Sequence, residues 1–210
     1  MPWKISTGGQ GPAFDTELEY DAFETRLAKR GPSSTTLYAG DLYERLIPSA
    51  GATEHRYKVF AGDRLIAQVT KFEQGGALVN QQMRFIHDDH LGSVSVITDE
   101  SGTLVESRSF DPFGTPAAAF SSASVTSGFT GHEHDGDLGL VNMKGRLYDA
   151  RLGRFLTPDP FIAEPLNPQG WNRYSYVQNN PVNFVDPSGF CRVVVHGVSG
   201  TPSYLKDPLI

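Results

Sequence analysis

Residues 145–160 read Gly-Arg-Leu-Tyr-Asp-Ala-Arg-Leu-Gly-Arg-Phe-Leu-Thr-Pro-Asp-Pro. At the centre of this stretch, Tyr148 precedes Asp149, and Gly153 follows four residues later. An Asp side chain accepts backbone N–H bonds at the start of a turn, and Gly adopts the positive φ that the end of a turn requires. The stretch therefore predicts a hairpin corner with an aromatic residue packed on the neighbouring sheet.

The same element recurs along the chain with an Asp followed three residues later by a Gly. The copies are Thr98-Asp99-Glu100-Ser101-Gly102, Phe110-Asp111-Pro112-Phe113-Gly114 and Val185-Asp186-Pro187-Ser188-Gly189, and residues 20–26 hold a degenerate copy without the Gly. We interpret these copies as structural turns, with Asp99, Asp111 and Asp186 at their starts and Gly102, Gly114 and Gly189 at their ends. The repetition predicts hairpin corners at irregular intervals.

The segments between the turns have the alternation of β-strands. Residues 56–60 and 64–70 flank a Gly-Asp corner, and residues 93–98 and 103–110 flank the turn at Asp99. A weaker helical pattern allows one or two turns within residues 13–28 and 41–46. We therefore predict an all-β fold, an antiparallel hairpin strip with few short helices.

Residues 117–128 are small and polar. Ala, Ser, Thr and Gly make up ten of these positions, the other two being Phe120 and Val125. This composition predicts a flexible link between the hairpin block and the segment that begins near Phe129.

Composition excludes several classes of protein. Among 210 residues, 39% are hydrophobic and 20% charged, which excludes global disorder. The formal charge of −6, without a basic run, disfavours a nucleic-acid partner. A single cysteine excludes an intrachain disulfide and a CxxC zinc site. No apolar run predicts a membrane span and no signal-peptide core is visible, so we expect a cytoplasmic chain before any export.

An ordered series of motifs resembles one known family. The series comprises His87-Asp88-Asp89-His90-Leu91-Gly92-Ser93-Val94 with Thr98-Asp99, Phe110-Asp111-Pro112-Phe113-Gly114, Phe129-Thr130-Gly131-His132-Glu133-His134-Asp135 with Leu138-Gly139-Leu140, Gly145 to Pro160, Asn172-Arg173-Tyr174-Ser175-Tyr176 with Asn179-Asn180-Pro181, and Asp186-Pro187-Ser188-Gly189-Phe190. Together they resemble the core module of the Rhs (YD-repeat) family. Any one motif is a weak signal, but their order over about 100 residues is specific.

The resemblance implies a domain organisation and a set of partners. We expect degenerate YD-repeat hairpins in residues 1–80, the Rhs-associated core in 81–190 and a short variable tail in 191–210. In the family the strip coils into a shell that encloses a C-terminal effector, often a toxin, and is secreted or associated with the cell surface. The partners would be the rest of the shell, the effector and a secretion-system component. A tail of this length cannot bury a core, so the effector is expected to be truncated here.

The resemblance also implies a self-cleaving site. Asp159 and Asp186 match the family's aspartic-protease-like pair, Arg146 matches its upstream arginine, and the cut would fall between Phe190 and Cys191. Two neighbouring carboxyl groups do not both ionise readily, so one anion can activate water while the acid polarises the carbonyl. Such a reaction would occur once per chain and needs no cofactor. The alternative is that both aspartates only form Asp-Pro turns.

Other candidate residues have weaker functional interpretations. His87, His90, His132 and His134 could bind a metal, but their spacings match no established zinc pattern, and we predict no metal site. Cys191 has no His-containing motif paired with it, so we interpret it as the first residue of the variable region rather than a nucleophile.

An aromatic band consists of Tyr148, Phe155, Trp171, Tyr174 and Tyr176. It could stack on sugars, although packing between sheets is the interpretation we favour. Two alternatives to a self-processing scaffold therefore remain. One is a non-enzymatic β-repeat module that binds a surface partner or carbohydrate, and the other is a nonfunctional orphan fragment.

Overall fold

The computed structural model describes residues 3–6, 15–22, 25–121, 124–162, 165–190 and 193–194. Within these ranges the regular structure is almost entirely antiparallel β, with three one-turn 3₁₀ helices and no α-helix. The predicted all-β fold is confirmed. The chain divides into two compact units, Met1–Ile86 with Thr98–Val105 and His87–Ile97 with Glu106–Ile210.

The first unit is a strip of strands. Its strands are β1 Trp3–Ser6, β2 Asp15–Tyr20, β3 Arg26–Arg30, β4 Ser34–Ala39, β5 Tyr43–Pro48, β6 Thr53–Ala61, β7 Arg64–Gln74 and β8 Ala77–Asp88, whose last two residues belong to the second unit. Each of these strands pairs antiparallel with the next one along the chain. The predicted hairpin is the β6–β7 pair, in which Tyr57 lies opposite Val69 and Ala61 opposite Arg64.

The helical turns predicted for residues 13–28 and 41–46 are wrong. The described parts of these segments are β2, β3 and the start of β5. In β2, Thr16 and Leu18 are buried while Glu17 and Glu19 are partly exposed, which is the period-two pattern of a strand. The alternation of one-sided burial outweighs the helix propensity of single residues.

The next two strands are β9 Val94–Thr98 and β10 Leu104–Ser107, and each contains residues of both units. They form the second predicted hairpin around the turn at Asp99, where the Asp99 N–H donates to the Thr103 carbonyl at 3.0 Å. The second strand ends at Ser107, three residues earlier than predicted.

The second unit carries a small four-stranded sheet and its own core. The sheet consists of β11 Glu133–Asp135, β12 Leu140–Met143, β13 Arg146–Asp149 and β14 Arg154–Phe155, in chain order. A separate pair joins β15 Phe184–Val185 to β16 Val193–Val194. The 3₁₀ helices are Phe129–Gly131, Pro168–Trp171 and Val177–Asn179.

The core of the second unit uses part of the predicted aromatic band. Tyr148, Phe155 and Tyr176 are buried in it, with ring centres of Tyr148 and Tyr176 4.9 Å apart. Core packing is therefore confirmed for these three residues. Trp171 and Tyr174 are 60% and 42% exposed, so the same prediction is wrong for them.

The flexible link predicted for residues 117–128 is a fixed segment in its described parts, residues 117–121 and 124–128. The buried Arg108 side chain donates to the carbonyls of Val125 at 2.9 Å and Ser127 at 2.5 Å. The Ser121 N–H donates to the buried Glu106 carboxylate at 2.9 Å. The buried ion pair between Arg108 and Glu106 therefore holds the described parts of this small, polar stretch through hydrogen bonds that its composition does not reveal.

In the described part of the chain, no helix is long and apolar enough to cross a membrane.

Candidate functional site

The recurring aspartates form turns through their side chains. Asp99 Oδ1 accepts the N–H groups of Ser101 and Thr103 at 2.9 and 3.0 Å, and Asp111 Oδ1 accepts those of Phe113 and Thr115 at 2.9 Å each. The hydrogen bond from the Ser101 side chain is the main reason that the pKa of Asp99 lies below its ordinary value. One local geometry thus repeats at each of these corners.

The structure contains a further copy of this Asp-x-x-Gly turn, at Asp89, that is not among the copies predicted from the sequence. Asp89 Oδ1 accepts the N–H groups of Leu91 and Ser93 at 2.9 and 2.8 Å, and Gly92 has a φ of +82°. The spacing of Asp89 and Gly92 matches the other turns, so the signal is present in the sequence.

Arg146 lies at the start of β13, directly after the turn that connects β12 to β13. Its side chain is buried, and its guanidinium carbon lies 3.6 Å from the ring centre of Phe155. Burial lowers the pKa of Arg146, while the carboxylates of Asp159 and Asp186 act in the opposite direction. A buried cation of this kind requires anionic partners.

Those partners are the two predicted aspartates. Arg146 Nη2 lies 3.0 Å from Asp159 Oδ2 and 3.4 Å from Asp186 Oδ2. The side chain of Asp159 is 16% exposed and that of Asp186 is 4% exposed. The fold therefore brings together the three residues that the resemblance singled out, with both carboxylates against one nitrogen.

Asp159 is held by Arg173, a residue to which the sequence pattern gives no role. The Asp159 N–H donates to the Arg173 carbonyl at 2.8 Å, and Arg173 Nε donates to the Asp159 carbonyl at 2.5 Å. Arg146 Nη1 also donates to the Arg173 carbonyl, at 3.2 Å. The Phe161 N–H donates to Asp159 Oδ1 at 2.9 Å, so Asp159 also forms a local turn.

Asp186 begins the last of the Asp-x-x-Gly turns. Its Oδ1 accepts the Gly189 N–H at 2.8 Å, and its backbone carbonyl lies 2.9 Å from His132 Nε2. Gly189 has a φ of +78°, and a methyl group there would overlap the Met143 carbonyl oxygen. A side chain at position 189 is excluded both by conformation and by space.

The residues after Asp186 lie on the β12–β13 turn. The Gly145 N–H donates to the Ser188 carbonyl at 3.0 Å, and Arg146 Nε donates to the Gly189 carbonyl. Phe190 is partly buried, and its N–H lies 3.3 Å from Ser188 Oγ. Cys191 lies outside the described residues. The pairing of β15 with β16, which places Val185 opposite Val193, joins the chain on both sides of position 190.

Two of the four histidines considered as metal ligands, His132 and His134, form hydrogen bonds within the second unit. His134 Nε2 accepts the Phe129 N–H at 3.0 Å, and His132 contacts the Asp186 carbonyl as described above. Among the residues that the structure describes, no group of three or more His, Cys, Asp or Glu side chains is placed to hold a metal ion.

Comparisons with known proteins bear on this architecture. The Teneurin YD-shell family model matches residues 73–182. The tRNA3(Ser)-specific nuclease WapA of Bacillus spizizenii is 28% identical over 193 residues, covering 88% of this chain and 8% of that protein. Toxin subunit YenC1 of Yersinia entomophaga is 27% identical over 198 residues, covering 85% of this chain and 20% of that protein.

Solved structures share the fold. The crystal structure of TcdB2-TccC3-Cdc42 matches with a TM-score of 0.73 and 25% sequence identity, over 89% of this chain and 10% of that chain. This chain therefore spans between 8% and 20% of the length of the relatives described.

A strip of antiparallel strands paired in chain order, followed by Asp-x-x-Gly turns at Asp89, Asp99, Asp111 and Asp186, is consistent with a YD-repeat shell segment. Because the family match covers more than half of the chain, the chain belongs to the Rhs YD-shell family. It is shell scaffold of the kind found in toxin-type proteins.

Proposed function

We propose that this scaffold cleaves its own chain once, between Phe190 and Cys191, through Asp159 and Asp186. The observation that carries the proposal is the position of Arg146. Its guanidinium contacts both carboxylates and also the carbonyl of Gly189, one residue before the bond to be cut. One side chain therefore links the two acidic groups to the segment on which they would act.

The chemistry follows from two carboxyl groups beside one cation. The anionic carboxylate accepts a proton from water, and the protonated carboxyl donates its proton to the Phe190 carbonyl oxygen. Water oxygen bonds to the carbonyl carbon to give a gem-diol. The carboxyl group that took the proton from water then donates it to the Cys191 nitrogen as the C–N bond breaks, and a gem-diol hydroxyl returns its proton to the other carboxylate, so the nitrogen leaves as an amine and both acidic groups regain their starting states. The products are a carboxyl group on Phe190 and a new N-terminus at Cys191. The protons belong to the pair rather than to either residue alone.

Arg146 serves this reaction as a positioning residue. The Nη2 contacts hold both Oδ2 atoms, and the guanidinium supplies the cationic partner that a buried carboxylate requires. The bonds from Arg146 and Gly145 fix the backbone at Gly189 and Ser188. A fixed backbone beside a fixed acid pair lowers the entropic part of the barrier.

The proposed partners follow from the position of the cut. The segment that begins at Cys191 would be the effector end, and the rest of a shell would enclose it. Because β15 pairs with β16 across the cut, cleavage alone would leave the new N-terminal segment attached through this short ladder. Release would then require the two-residue ladder to open, a small cost compared with unfolding the shell.

Intact-mass measurement of the purified chain tests the proposal. We expect loss of residues 191–210 on incubation, and no loss in Asp159→Asn or Asp186→Asn. Asp149→Asn is the matched control, because Asp149 is a buried turn aspartate of the same unit whose carboxylate accepts the N–H groups of Arg151 and Leu152. A folded wild-type chain that stays intact, or equal cleavage in all four proteins, would refute self-cleavage by this pair.

A second candidate function rests on the exposed part of the aromatic band. Trp171 and Tyr174 are accessible, and the Trp171 indole N–H is already bonded to the Pro165 carbonyl at 2.9 Å, so its ring is held in place. Fixed, exposed aromatic rings can stack on sugars. Titration of tryptophan fluorescence with oligosaccharides tests this function, and a signal unchanged by Trp171→Ala would exclude this site.

A further inference from the structure

Phe190, the residue before the proposed cut, places its ring against the β12–β13 turn. Gly145 in this turn has no side chain, and a methyl group built there would overlap the Phe190 ring. The guanidinium carbon of Arg146 lies 5.5 Å from the centre of the same ring. The ring is thus bounded by a glycine and by a cation, an arrangement that suits an aromatic side chain.

Gly145 is not required by the conformation of the turn. The left-handed residue of this turn is Lys144, with a φ of +61°, whereas Gly145 is not among the residues with positive φ. Glycine is commonly found where φ is positive, yet here it occupies the neighbouring position. The absence of a side chain at Gly145 therefore allows the Phe190 ring to approach the turn closely.

The backbone before Phe190 is held by the same turn. The Gly145 N–H bonds the Ser188 carbonyl, and Arg146 Nε bonds the Gly189 carbonyl. The Met143 carbonyl leaves no room for a side chain at Gly189. Backbone hydrogen bonds to a segment of chain, combined with a fitted side-chain position, are the features by which proteins recognise peptides.

We propose that residues 143–146 form the specificity subsite for the residue before the cut, with Gly145 and Arg146 selecting an aromatic ring at position 190. The inference rests on the proposed self-cleavage. Its substrate class is a Gly-aromatic segment of the same chain. Gly145 leaves the space that the ring occupies, and the Arg146 cation favours an aromatic face beside it. A side chain added at position 145 should therefore alter which residue at position 190 permits cleavage.

A set of four proteins tests this selection: the wild type, Gly145→Ala, Phe190→Ala and the double variant. Cleavage is followed by intact mass. We expect Phe190→Ala alone and Gly145→Ala alone each to slow cleavage by roughly tenfold or more. The double variant, however, should be cut faster than Gly145→Ala alone, because the added methyl group occupies the place of the ring. An unchanged preference for Phe190 in both backgrounds would overturn the subsite.

Gly136→Ala is the matched control. Gly136 lies in the β11–β12 turn of the same sheet, a Cβ there meets nothing within 4 Å, and its φ is not positive. This variant should be cut at the wild-type rate with the wild-type preference at position 190. A rate as low as that of Gly145→Ala would mean that any methyl group in these turns disturbs the sheet, which would contradict the subsite.

Thermal melting of the same set in an Asp159→Asn background separates this inference from the proposed function. Gly145→Ala should lower the melting temperature when residue 190 is Phe and leave it nearly unchanged when residue 190 is replaced by Ala. If this coupling is found in the Asp159→Asn background and the wild-type chain is never cut, self-cleavage is contradicted and the ring contact is retained. Cleavage without coupling would contradict the subsite and retain self-cleavage.

Discussion

Acidification should weaken the second unit through His134. The His134 ring is partly buried, with its centre 4.9 Å from that of Phe120 and 5.6 Å from that of Phe110. Its Nε2 accepts the Phe129 N–H, so the folded chain requires the neutral ring. Burial lowers the pKa of His134 to about 4, with a further decrease from the nearby Arg108 cation and a partial increase from Asp135.

The direction and size of the effect follow from proton linkage. The folded pKa of about 4 lies below the ordinary histidine value of 6.5, so the unfolded chain binds the proton first as the pH falls. The contribution of His134 to stability is therefore complete above pH 6.5 and decreases below it. Between about pH 7 and pH 5 we expect a loss of about 2 kcal/mol in the free energy of unfolding.

Urea unfolding at about pH 7 and pH 5 measures this loss, and His134→Gln is the matched variant. The Gln amide oxygen can accept the Phe129 N–H but does not titrate. Because other groups titrate equally in both proteins, the difference between the two pH dependences isolates His134. If His134→Gln loses as much stability over this pH range as the wild type, the proposed role of the His134 imidazole is refuted.

Three further substitutions have expected effects on stability, each measured by urea or thermal unfolding. Arg108→Met leaves the buried Glu106 carboxylate without its ion pair at 2.9 Å and should lower the free energy of unfolding by about 3–5 kcal/mol, whereas a loss below about 1 kcal/mol would contradict a structural role for this ion pair. Tyr148→Phe removes the 2.7 Å bond to the Phe113 carbonyl and should cost about 1 kcal/mol without altering the fold. Asp111→Ala should melt below Asp111→Asn, because only Asn retains an oxygen for the two turn N–H groups; equal melting temperatures would contradict this role.

The turns and hairpins could be predicted because their causes are local. An Asp whose side chain bonds N–H groups two and four residues later requires only the spacing that the sequence displays, as at Asp99 and Asp111. The β6–β7 hairpin is equally local, since alternating side chains flank a short turn. The missed turn at Asp89 was within reach of the same rule.

The rest of the candidate site depends on contacts that sequence spacing does not encode. Arg146, Asp159 and Asp186 were singled out through the family resemblance, because nothing in their separations indicates that one guanidinium contacts both carboxylates. The contacts of Arg173 with Asp159, and of His132 with Asp186 across 54 positions, depend on the tertiary fold. Composition alone was also misleading for the described part of residues 117–128, because it does not reveal the hydrogen bonds from the buried Arg108 to the carbonyls of Val125 and Ser127.

The order of strands in the first unit has a consequence for how the chain acquires its structure. From β1 to β8 every strand pairs with the strand that precedes or follows it along the chain. Each new hairpin can therefore add to the edge left by the previous one, as soon as its residues are available. Such growth closes only short loops, which favours rapid assembly. The same connectivity lets the strip come apart from one end, one hairpin at a time, without breaking the pairs further along.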